Sequence, residues 1–541
     1  MIRRPLVLAL ACALAAPPVI LAQSSAHGPL RFEISFPSST RGEPATGRVF
    51  VMITRNSKTE PRLQLNQVDG IPFFGRDVDN LTPGAAAVID DSDLGFPIDH
   101  LRDIPAGDYY VQAFVNIYSE FRRADGHVVW MHDDQWEGQR WETSPGNLYS
   151  QVQRMHLDAA SGYRIQLVAD QKIPPVAVPP DTDSVKRLKF QSPMLTKFWG
   201  RPIYLGATVL LPRDYTKETM AYPVLYSQGH FSLDAPLKLD ESKEIYQQWM
   251  RDDFPRMIVV TFQHPNPYFD DSYAVNSANV GPYGDAIMQE LIPEIERRFR
   301  IIREPYARLL DGGSTGGWES LALQLFHPDF FGGTWTYCPD PVTFEGYEGV
   351  DIYKDENAFY KQHEWYRVPT ANIRDTFGEA QLTVQQKLRF ELVNGSKGRS
   401  GHQMDIWSAV FGPVGQDGFF APLIDPLTGA IHHEVATYWK EHYDLLNFVQ
   451  RNWFTLGPKI LDKLRIYTGD MDTFQLDKGV VLMEQWMRKT ADPHYAGYFL
   501  YGDRKPHCWT GPGSQAERLR EMAEFILRHK PEDARTPWWR Y

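Results

Sequence analysis

The motif GGSTG places Ser314 among small residues, in a spacing that can present a serine hydroxyl for nucleophilic attack. A strand-like run, YARLL, precedes the motif, and a helix-like run, WESLALQL, follows it. G-x-S-x-G between a strand and a helix is typical of a nucleophile elbow, where glycines let the backbone turn sharply around the serine. The same turn directs the N–H of Thr315 toward a developing oxyanion. We therefore predict that Ser314 is a nucleophile.

A serine nucleophile requires a base and an acid, and the downstream sequence contains candidates for both. The strand-like run LRIYTG leads into a turn with Asp470 and Asp472, and the run AGYFLYG leads into a loop with His507. Serine, aspartate and histidine in this order, each after a strand, match the triad of α/β-hydrolases. His494 precedes the last strand-like run, so it would lie at the opposite edge of a parallel sheet. We predict that His507 and one of the two aspartates complete the triad.

The periodicity of the chain predicts the elements that must position these residues. Between residues 184 and 530, strand-like runs alternate with helix-like runs, which predicts a mostly parallel sheet covered on both faces. Residues 28–170 contain short runs with period two, such as RFEISF and GYRIQLV, and predict an N-terminal antiparallel β-sandwich domain. The segment QKIPPVAVPPDTD, residues 171–183, predicts a stiff proline-rich linker between the two domains. Residues 531–541 are predicted to form a C-terminal tail.

One connection is long for a sheet of this kind. The strand after the elbow helix ends near Cys338, whereas the strand that leads to the acid begins only near Leu464. The intervening residues 344–454 are predicted to form a lid-like insertion, because long insertions in compact domains are usually functional. Phe419 and Phe420 are expected to be among the aromatic groups that cover an apolar acyl pocket.

The composition indicates a folded, exported protein. The 541 residues are 43% apolar and carry a formal net charge of −12, which disfavours nucleic acid as a partner. Two arginines, an apolar run and small residues within positions 1–26 predict a secretory signal peptide, and hence a periplasmic or extracellular location. No later apolar run is long enough to span a bilayer.

Beyond the signal peptide, the cysteines are Cys338 and Cys508. In an oxidising compartment, two cysteines form either one disulfide or two free thiols. Cys338 ends a strand and Cys508 directly follows His507, so both map to the same edge of the predicted sheet. The sequence leaves both alternatives open.

Residues 184–530 resemble the esterase D or enterochelin-esterase-like family of α/β-hydrolases. The resemblance is carried by KFQSPMLTKFWGRPIYLGATVLLPRDY in the opening strands, YGDAIMQELIPEIERRFR before the elbow strand, and GGSTGGWESLALQLFHPDFFGG at the elbow. It implies an α/β-hydrolase fold, and a β-sandwich ahead of that fold also occurs in enterochelin-esterase-like enzymes. The family places the acid three residues after the turn glycine, which selects Asp472 over Asp470.

The family usually has His-Gly in the loop after the third strand, where this chain has Gln228 and Gly229. The oxyanion donor in that loop is a backbone N–H, which by position belongs to His230. The side-chain difference therefore leaves the donor itself in place. The resemblance implies that the N–H groups of Thr315 and His230 together bind the oxyanion.

The function that the resemblance implies is hydrolysis of a carboxylic ester through an acyl-enzyme, without a metal or an organic cofactor. A peptidase or an acyltransferase uses the same triad, and a binding protein on an inactive hydrolase fold is a further alternative. The expected substrate is a small-molecule or polymer-linked ester. The sequence identifies neither that ester nor the oligomeric state.

Overall fold

The computed structural model describes residues 29–495 and 497–539, so the predicted signal peptide of residues 1–26 lies outside the described residues. The strands are β1 (Leu30–Ser35), β2 (Ala45–Thr54), β3 (Phe73–Leu81), β4 (Ala87–Asp90), β5 (Gly95–Phe96), β6 (Gly107–Arg122), β7 (Val128–His132), β8 (Leu148–Tyr149), β9 (Gln153–Leu157), β10 (Tyr163–Val168), β11 (Gln171–Lys172), β12 (Val185–Gln191), β13 (Tyr204–Leu210), β14 (Val224–Gln228), β15 (Ile258–Gln263), β16 (Asn276–Ser277), β17 (Gly281–Pro282), β18 (Arg308–Gly313), β19 (Gly333–Tyr337), β20 (Tyr360–Gln362), β21 (Arg367–Pro369), β22 (Ala371–Arg374), β23 (Ala380–Thr383), β24 (Leu464–Gly469) and β25 (Tyr498–Gly502).

The helices are α1 (Pro193–Trp199), α2 (Glu244–Trp249), α3 (Tyr283–Ala286), α4 (Ile292–Arg298), α5 (Thr315–Phe326), α6 (Val384–Asn394), α7 (Gln403–Phe411), α8 (His433–His442), α9 (Leu445–Ile460), α10 (Asp477–Met487) and α11 (Gln515–His529). Within the described ranges, no helix combines the length and the apolar character needed to cross a bilayer.

The second half of the chain is organised around an eight-stranded sheet with the order β12-β13-β15-β14-β18-β19-β24-β25. β13 is antiparallel to β12 and β15, and from β15 onward every neighbouring pair is parallel. The central strands are buried along nearly their whole length, as is usual where helices cover both faces of a parallel sheet. The prediction of an α/β-hydrolase-like fold with a mostly parallel sheet is confirmed, and the antiparallel pairs of β13 make that sheet mixed.

This sheet determines where the loops after its strands lie. Because β18, β19, β24 and β25 are consecutive parallel neighbours, their carboxyl ends lie along one edge. Ser314 follows β18, Asp472 lies in the turn after β24, and His507 lies in the loop after β25. Side chains that are between 35 and 193 residues apart in the sequence therefore converge at the edge where open α/β sheets bind ligands.

The N-terminal part of the chain forms two further sheets, with the orders β10-β1-β4 and β11-β8-β6-β2-β3-β5, and with β7 and β9 also paired to β6. One apolar core lies between these sheets and includes Phe32, Ile34, Val51 and Val111. One pair departs from the antiparallel prediction, since β1 is parallel to β10. These strands begin and end the unit, so no hairpin turn dictates their relative direction.

Strand β2 is buried on both faces, because a separate apolar core covers the face that points away from the core between the two N-terminal sheets. Val49, Val51 and Ile53 point into the core between the two N-terminal sheets. Phe50 and Met52 point the other way, into a core shared with residues beyond the linker. The run GRVFVMIT is therefore buried at every position and not at alternate positions only.

The partner of that second face is the segment between β19 and α9. Since α9 is the crossover helix that leads to β24, the inserted part comprises residues 344–444, hereafter called the insertion. Phe390 of the insertion lies 5.9 Å from Phe73 and 5.3 Å from Phe96, measured between ring centroids, in edge-to-face contacts. The insertion thus packs against the N-terminal sheets as well as the hydrolase sheet.

The segment after α11, predicted as a tail, ends against the hydrolase core. Trp538 is only 1% exposed and belongs to that core. Its carbonyl oxygen accepts a hydrogen bond of 2.9 Å from the N–H of Arg256. A buried indole of this size contributes substantially to stability.

Replacing Trp538 with alanine should lower the free energy of unfolding by about 3–5 kcal/mol, because the change leaves a large cavity. Trp365→Ala is the matched control, since Trp365 is 86% exposed, and it should change stability by less than about 0.5 kcal/mol. Urea denaturation of both variants checks this. Equal stability losses in the two variants would show that the C-terminal segment does not anchor the core.

Candidate active site

The backbone around Ser314 has the strained geometry of a nucleophile elbow. Ser314 lies between β18 and α5 with φ 59° and ψ −123°, a conformation that non-glycine residues rarely adopt. A Cβ atom at Gly312 would lie 2.2 Å from the carbonyl oxygen of Gly316, and one at Gly316 would lie 2.2 Å from that of Gln228. Glycine is therefore required at both positions for α5 to pack against β14 and β18.

Ser314, His507 and Asp472 form one hydrogen-bonded chain. The Ser314 hydroxyl donates to His507 Nε2 over 2.8 Å, and His507 Nδ1 donates to Asp472 Oδ2 over 2.7 Å. Asp472 is fully buried, and its other oxygen accepts the N–H of Phe474 over 2.9 Å. An ionised carboxylate only accepts hydrogen bonds, so it places the imidazole proton on Nδ1 and leaves Nε2 free to accept.

The two candidate aspartates have different surroundings. Asp470 Oδ1 accepts the N–H of Arg504 over 2.6 Å, which ties the turn after β24 to the loop after β25. Asp472 is the aspartate that contacts His507. Asp470 thus stabilises the turn, as expected for an aspartate directly after a glycine.

The two predicted oxyanion donors border the same site. Thr315 is the first residue of α5, so its N–H has no acceptor within the helix. His230 follows β14, and it lines the cavity that contains Ser314. The His230 side chain contacts Asp270, with 3.1 Å between Nδ1 and Oδ1, which keeps the loop close to the sheet edge.

A second carboxyl group contacts Ser314 and was missed by the sequence analysis. Asp340 Oδ1 lies 3.4 Å from Ser314 Oγ, whose proton is directed to His507, and Asp340 Oδ2 accepts a hydrogen bond of 2.6 Å from Tyr273. Burial raises the pKa of Asp340. The tyrosine hydroxyl also contacts the side chains of Gln403 and Trp407 in the insertion. The available signal was that Asp340 follows β19, the strand beside the elbow strand.

Ser314 lies at the wall of a cavity of about 540 Å³ that three parts of the chain enclose. Asn66 and Gln67 come from the N-terminal part, and Phe390 and Trp407 come from the insertion. A second cavity of about 1210 Å³ meets the first at Gly313 and His230. The serine therefore borders the smaller cavity, and the larger cavity adjoins that one.

The aromatic residues named from the sequence are elsewhere. Phe419 packs under the cationic groups of Lys397 and Arg399, and Phe420 packs against Tyr268. The expectation that these two phenylalanines cover the acyl pocket is wrong, because the turn that carries them faces the N-terminal sheets. Phe390 and Trp407 take that place.

Beneath the elbow, three titratable side chains lie in a water-excluded cluster. The ligand atoms of His264, Asp271 and Glu319 lie within 4.8 Å of one another, and all three residues are buried. If Asp271 and Glu319 were both ionised, Asp271 Oδ2 and both carboxylate oxygens of Glu319 would be buried without a hydrogen-bond donor. Burial, followed by the charge of Asp271, raises the pKa of Glu319 well above its ordinary range. A proton retained on Glu319 would supply the donor that these oxygens otherwise lack.

Two thiols lie beside His507. Cys338 and Cys508 are both unbonded, the first buried and the second exposed. Burial raises the pKa of Cys338, whereas the hydrogen bond from Cys338 lowers that of Cys508. Burial disfavours the charged form of His507, but its bonds to Asp472 and Cys508 outweigh burial and raise its pKa. In this structure Cys338 and Cys508 do not form a disulfide bond.

One known protein family matches part of the chain that contains the eight-stranded sheet. Residues 204–379 match the family described as putative esterase. The match includes the elbow with Ser314, and it ends within the insertion. The resemblance to esterase D-like proteins and the enzyme class of carboxylic ester hydrolase are confirmed by this match. Comparison with curated proteins found no match.

Solved structures similar to this chain include esterases and other hydrolases. A ferulic acid esterase shares 16% identity over 64% of this chain and 98% of its own, with a TM-score of 0.37. The fluorophosphonate-binding serine hydrolase FphF of Staphylococcus aureus shares 16% over 63% and 98%, with a TM-score of 0.34. An S-formylglutathione hydrolase from Agrobacterium tumefaciens shares 14% over 64% and 92%, with a TM-score of 0.31. At such low scores, the fold assignment depends on the strand order itself.

Exchanging each aspartate for asparagine separates their roles. Asp472→Asn should lower kcat by about 10⁴-fold with little change in KM, because the imidazole loses the group that sets its tautomer. Asp470→Asn keeps an oxygen acceptor for Arg504 and should cost at most about 1 kcal/mol of stability. Steady-state kinetics and thermal melting of the two variants check this. The reverse pattern would transfer the acid role to Asp470.

Glu319→Gln should stabilise the protein increasingly as the pH rises. The ordinary pKa of a glutamate is 4.5, so above that pH the unfolded chain releases a proton that the folded protein retains. The wild-type free energy of unfolding then falls by up to about 1.4 kcal/mol per pH unit relative to the glutamine variant.

Urea denaturation between pH 5 and pH 8 measures that difference, and the exposed Glu524 provides the matched control in Glu524→Gln. Glutamine is nearly isosteric with a protonated glutamic acid and can still donate to Asp271. A stability difference that stays constant over this pH range would contradict a retained proton on Glu319.

Proposed function

We propose that the protein is a serine esterase that cleaves carboxylic esters through an acyl-enzyme formed on Ser314. The observation that carries this proposal is the hydrogen-bonded chain from Ser314 through His507 to Asp472, with distances of 2.8 Å and 2.7 Å. Distances in this range allow proton transfer without rearrangement of the side chains. The putative-esterase match over residues 204–379 supports the same chemistry.

In the first half-reaction, Ser314 Oγ attacks the acyl carbon while its proton passes to His507 Nε2. Asp472 stabilises the resulting imidazolium and keeps the ring in place. The imidazolium then protonates the leaving alcohol, and the acyl group remains on Ser314. In the second half-reaction, a water molecule attacks the acyl carbon, and His507 accepts the proton of that water before returning one to Ser314.

The tetrahedral intermediates of both steps carry an oxyanion that requires N–H donors. We assign this role to the backbone N–H groups of Thr315 and His230, at the start of α5 and after β14. The positive end of α5 adds to the stabilisation of a negative charge at this position. None of these steps requires a metal or an organic cofactor.

The cavity beside the serine supports an ester with a substantial group on one side of the scissile bond. The smaller cavity, about 540 Å³, is lined by Ser314, and the larger, about 1210 Å³, adjoins it at Gly313 and His230. We assign residues 28–170 as a separate β-sandwich domain that contributes Asn66 and Gln67 to the smaller cavity. Export to the periplasm or the outside, based on the sequence of residues 1–26, belongs to the same proposal.

Ser314→Ala should reduce kcat for ester hydrolysis by on the order of 10⁴-fold or more, because the members of a triad act as a unit. Ser320→Ala is the matched control, since its hydroxyl on the same helix donates to Gly317 and not to the triad. The control should retain wild-type turnover. Hydrolysis of chromogenic acetyl and aromatic esters, beside the matching amide, measures both variants.

Labelling with a fluorophosphonate provides a readout that does not depend on the choice of ester. The wild type and Ser320→Ala should be labelled, and Ser314→Ala should not. Labelling of Ser314→Ala at the wild-type rate would remove Ser314 as the nucleophile. Faster turnover of the amide than of the ester would show that the protein acts as a peptidase and not as an esterase.

A further inference from the structure

Two cysteines and a histidine converge beside Ser314 in an arrangement that the proposed hydrolysis does not use. One potential metal-ligating atom from each of Cys338, His507 and Cys508 lies within 4.8 Å of the others. Cys338 follows β19, and Cys508 directly follows His507 in the loop after β25, so the parallel sheet brings the two sulfurs together. Both cysteines carry free thiols.

We propose that Cys338, His507 and Cys508 form a binding site for a soft transition-metal ion such as Zn²⁺, and that the bound ion reversibly inhibits hydrolysis. The inhibition rests on the proposed role of His507 as the base, whereas the metal site itself does not. Two thiolates and one imidazole form a ligand set that binds Zn²⁺ and Cu⁺ in preference to Ca²⁺ or Mg²⁺.

The distances are compatible with a tetrahedral ion after a small closure. With Zn–S bonds of about 2.3 Å and Zn–N bonds of about 2.0 Å, ligand atoms in such a site lie roughly 3.3–3.8 Å apart. Ligand atoms within 4.8 Å of one another therefore need to approach by about 1 Å, which rotation of the cysteine side chains supplies. The fourth position is open to water or to Ser314 Oγ, which lies 2.8 Å from His507 Nε2.

The second nitrogen of His507 already has the partner that metal-bound histidines usually have. Its Nδ1–H donates to Asp472 over 2.7 Å, an arrangement that orients an imidazole for coordination through Nε2. Zn²⁺ would replace the two thiol protons, which pass to the solvent, so that two thiols and one Zn²⁺ give one bis-thiolate complex and two protons. Cys508 is exposed and gives the ion a path of entry.

Coordination would stop hydrolysis for a simple reason. The lone pair of Nε2 that accepts the Ser314 proton is the one that binds the ion, so the base and the ligand functions exclude each other. A chelator restores the free imidazole. A disulfide between the same two sulfurs would instead remove both thiolate ligands.

The direct test is titration of the reduced full chain with Co²⁺, a spectroscopic substitute for Zn²⁺, under oxygen-free conditions. The wild type should give a 1:1 endpoint with thiolate-to-cobalt charge-transfer absorption. Cys508→Ser and Cys338→Ser should each weaken binding by at least about 100-fold, since even loss of an outer partner of a metal ligand costs 10- to 100-fold. His494→Gln, on an exposed histidine away from the cluster, is the control and should bind like the wild type.

The second test measures ester turnover with Zn²⁺, each variant being compared with its own rate in chelator. Wild-type turnover should fall by about 100-fold or more at saturation, because general-base catalysis is lost, and a chelator should restore it. Turnover of Cys508→Ser should be insensitive to the same Zn²⁺ concentration. Thermal melting of each variant confirms that it is folded.

Several outcomes would overturn the proposal. They are absence of charge-transfer absorption in the wild type, cobalt binding by both cysteine variants that is as tight as in the wild type, and no free thiol at Cys338 or Cys508 in the unfolded, unreduced protein, which would indicate the disulfide. Equal zinc inhibition of the wild type and Cys508→Ser would place the inhibitory ion elsewhere. If cobalt binds as expected but metal-free enzyme hydrolyses no ester, the metal site stands, while the inhibition and the proposed function fail together.

Discussion

The close approach of α5 to β14 is the constraint on which the rest of the site depends. Gly316 lies so near the carbonyl oxygen of Gln228 that no side chain fits between them. This contact holds Ser314 at a positive φ, with its hydroxyl directed away from the sheet. The strain at Ser314 is sustained because the strands and the helix around it are buried on both sides. The elbow therefore fixes the point to which the other loops converge.

Much of this arrangement could be predicted from the sequence, because local signals identify it. A glycine-rich turn between a strand and a helix marks Ser314, and the order of the later strands marks the turn with Asp472 and the loop with His507. The choice between Asp470 and Asp472 came from the resemblance and from the expectation that an aspartate directly after a glycine caps the turn. Geometry distinguishes them by their partners, an N–H of the neighbouring loop for Asp470 and His507 for Asp472.

The walls of the cavity could not be predicted, because contacts between distant segments leave no local pattern. Lys387 donates to Gln67 over 2.6 Å, although 320 residues separate them. The alternation in β2 indicated one buried face, but Phe50 and Met52 are buried as well, by residues of the insertion. Similarly, Phe419 and Phe420 had the right chemical type for an acyl pocket but lie on a turn that faces the N-terminal sheets.

These contacts determine how the insertion works. Its helix α6 shares an aromatic core with β3, and Arg48 donates to the carbonyl oxygen of Val393 over 3.0 Å. Arg399 pairs with Asp77 over 2.7 Å on the same interface. Opening such an element would expose aromatic surface and leave buried polar groups without partners, which is costly. The insertion is therefore a fixed wall, held between the N-terminal sheets and the hydrolase sheet, and the shape of the cavity beside Ser314 depends on both.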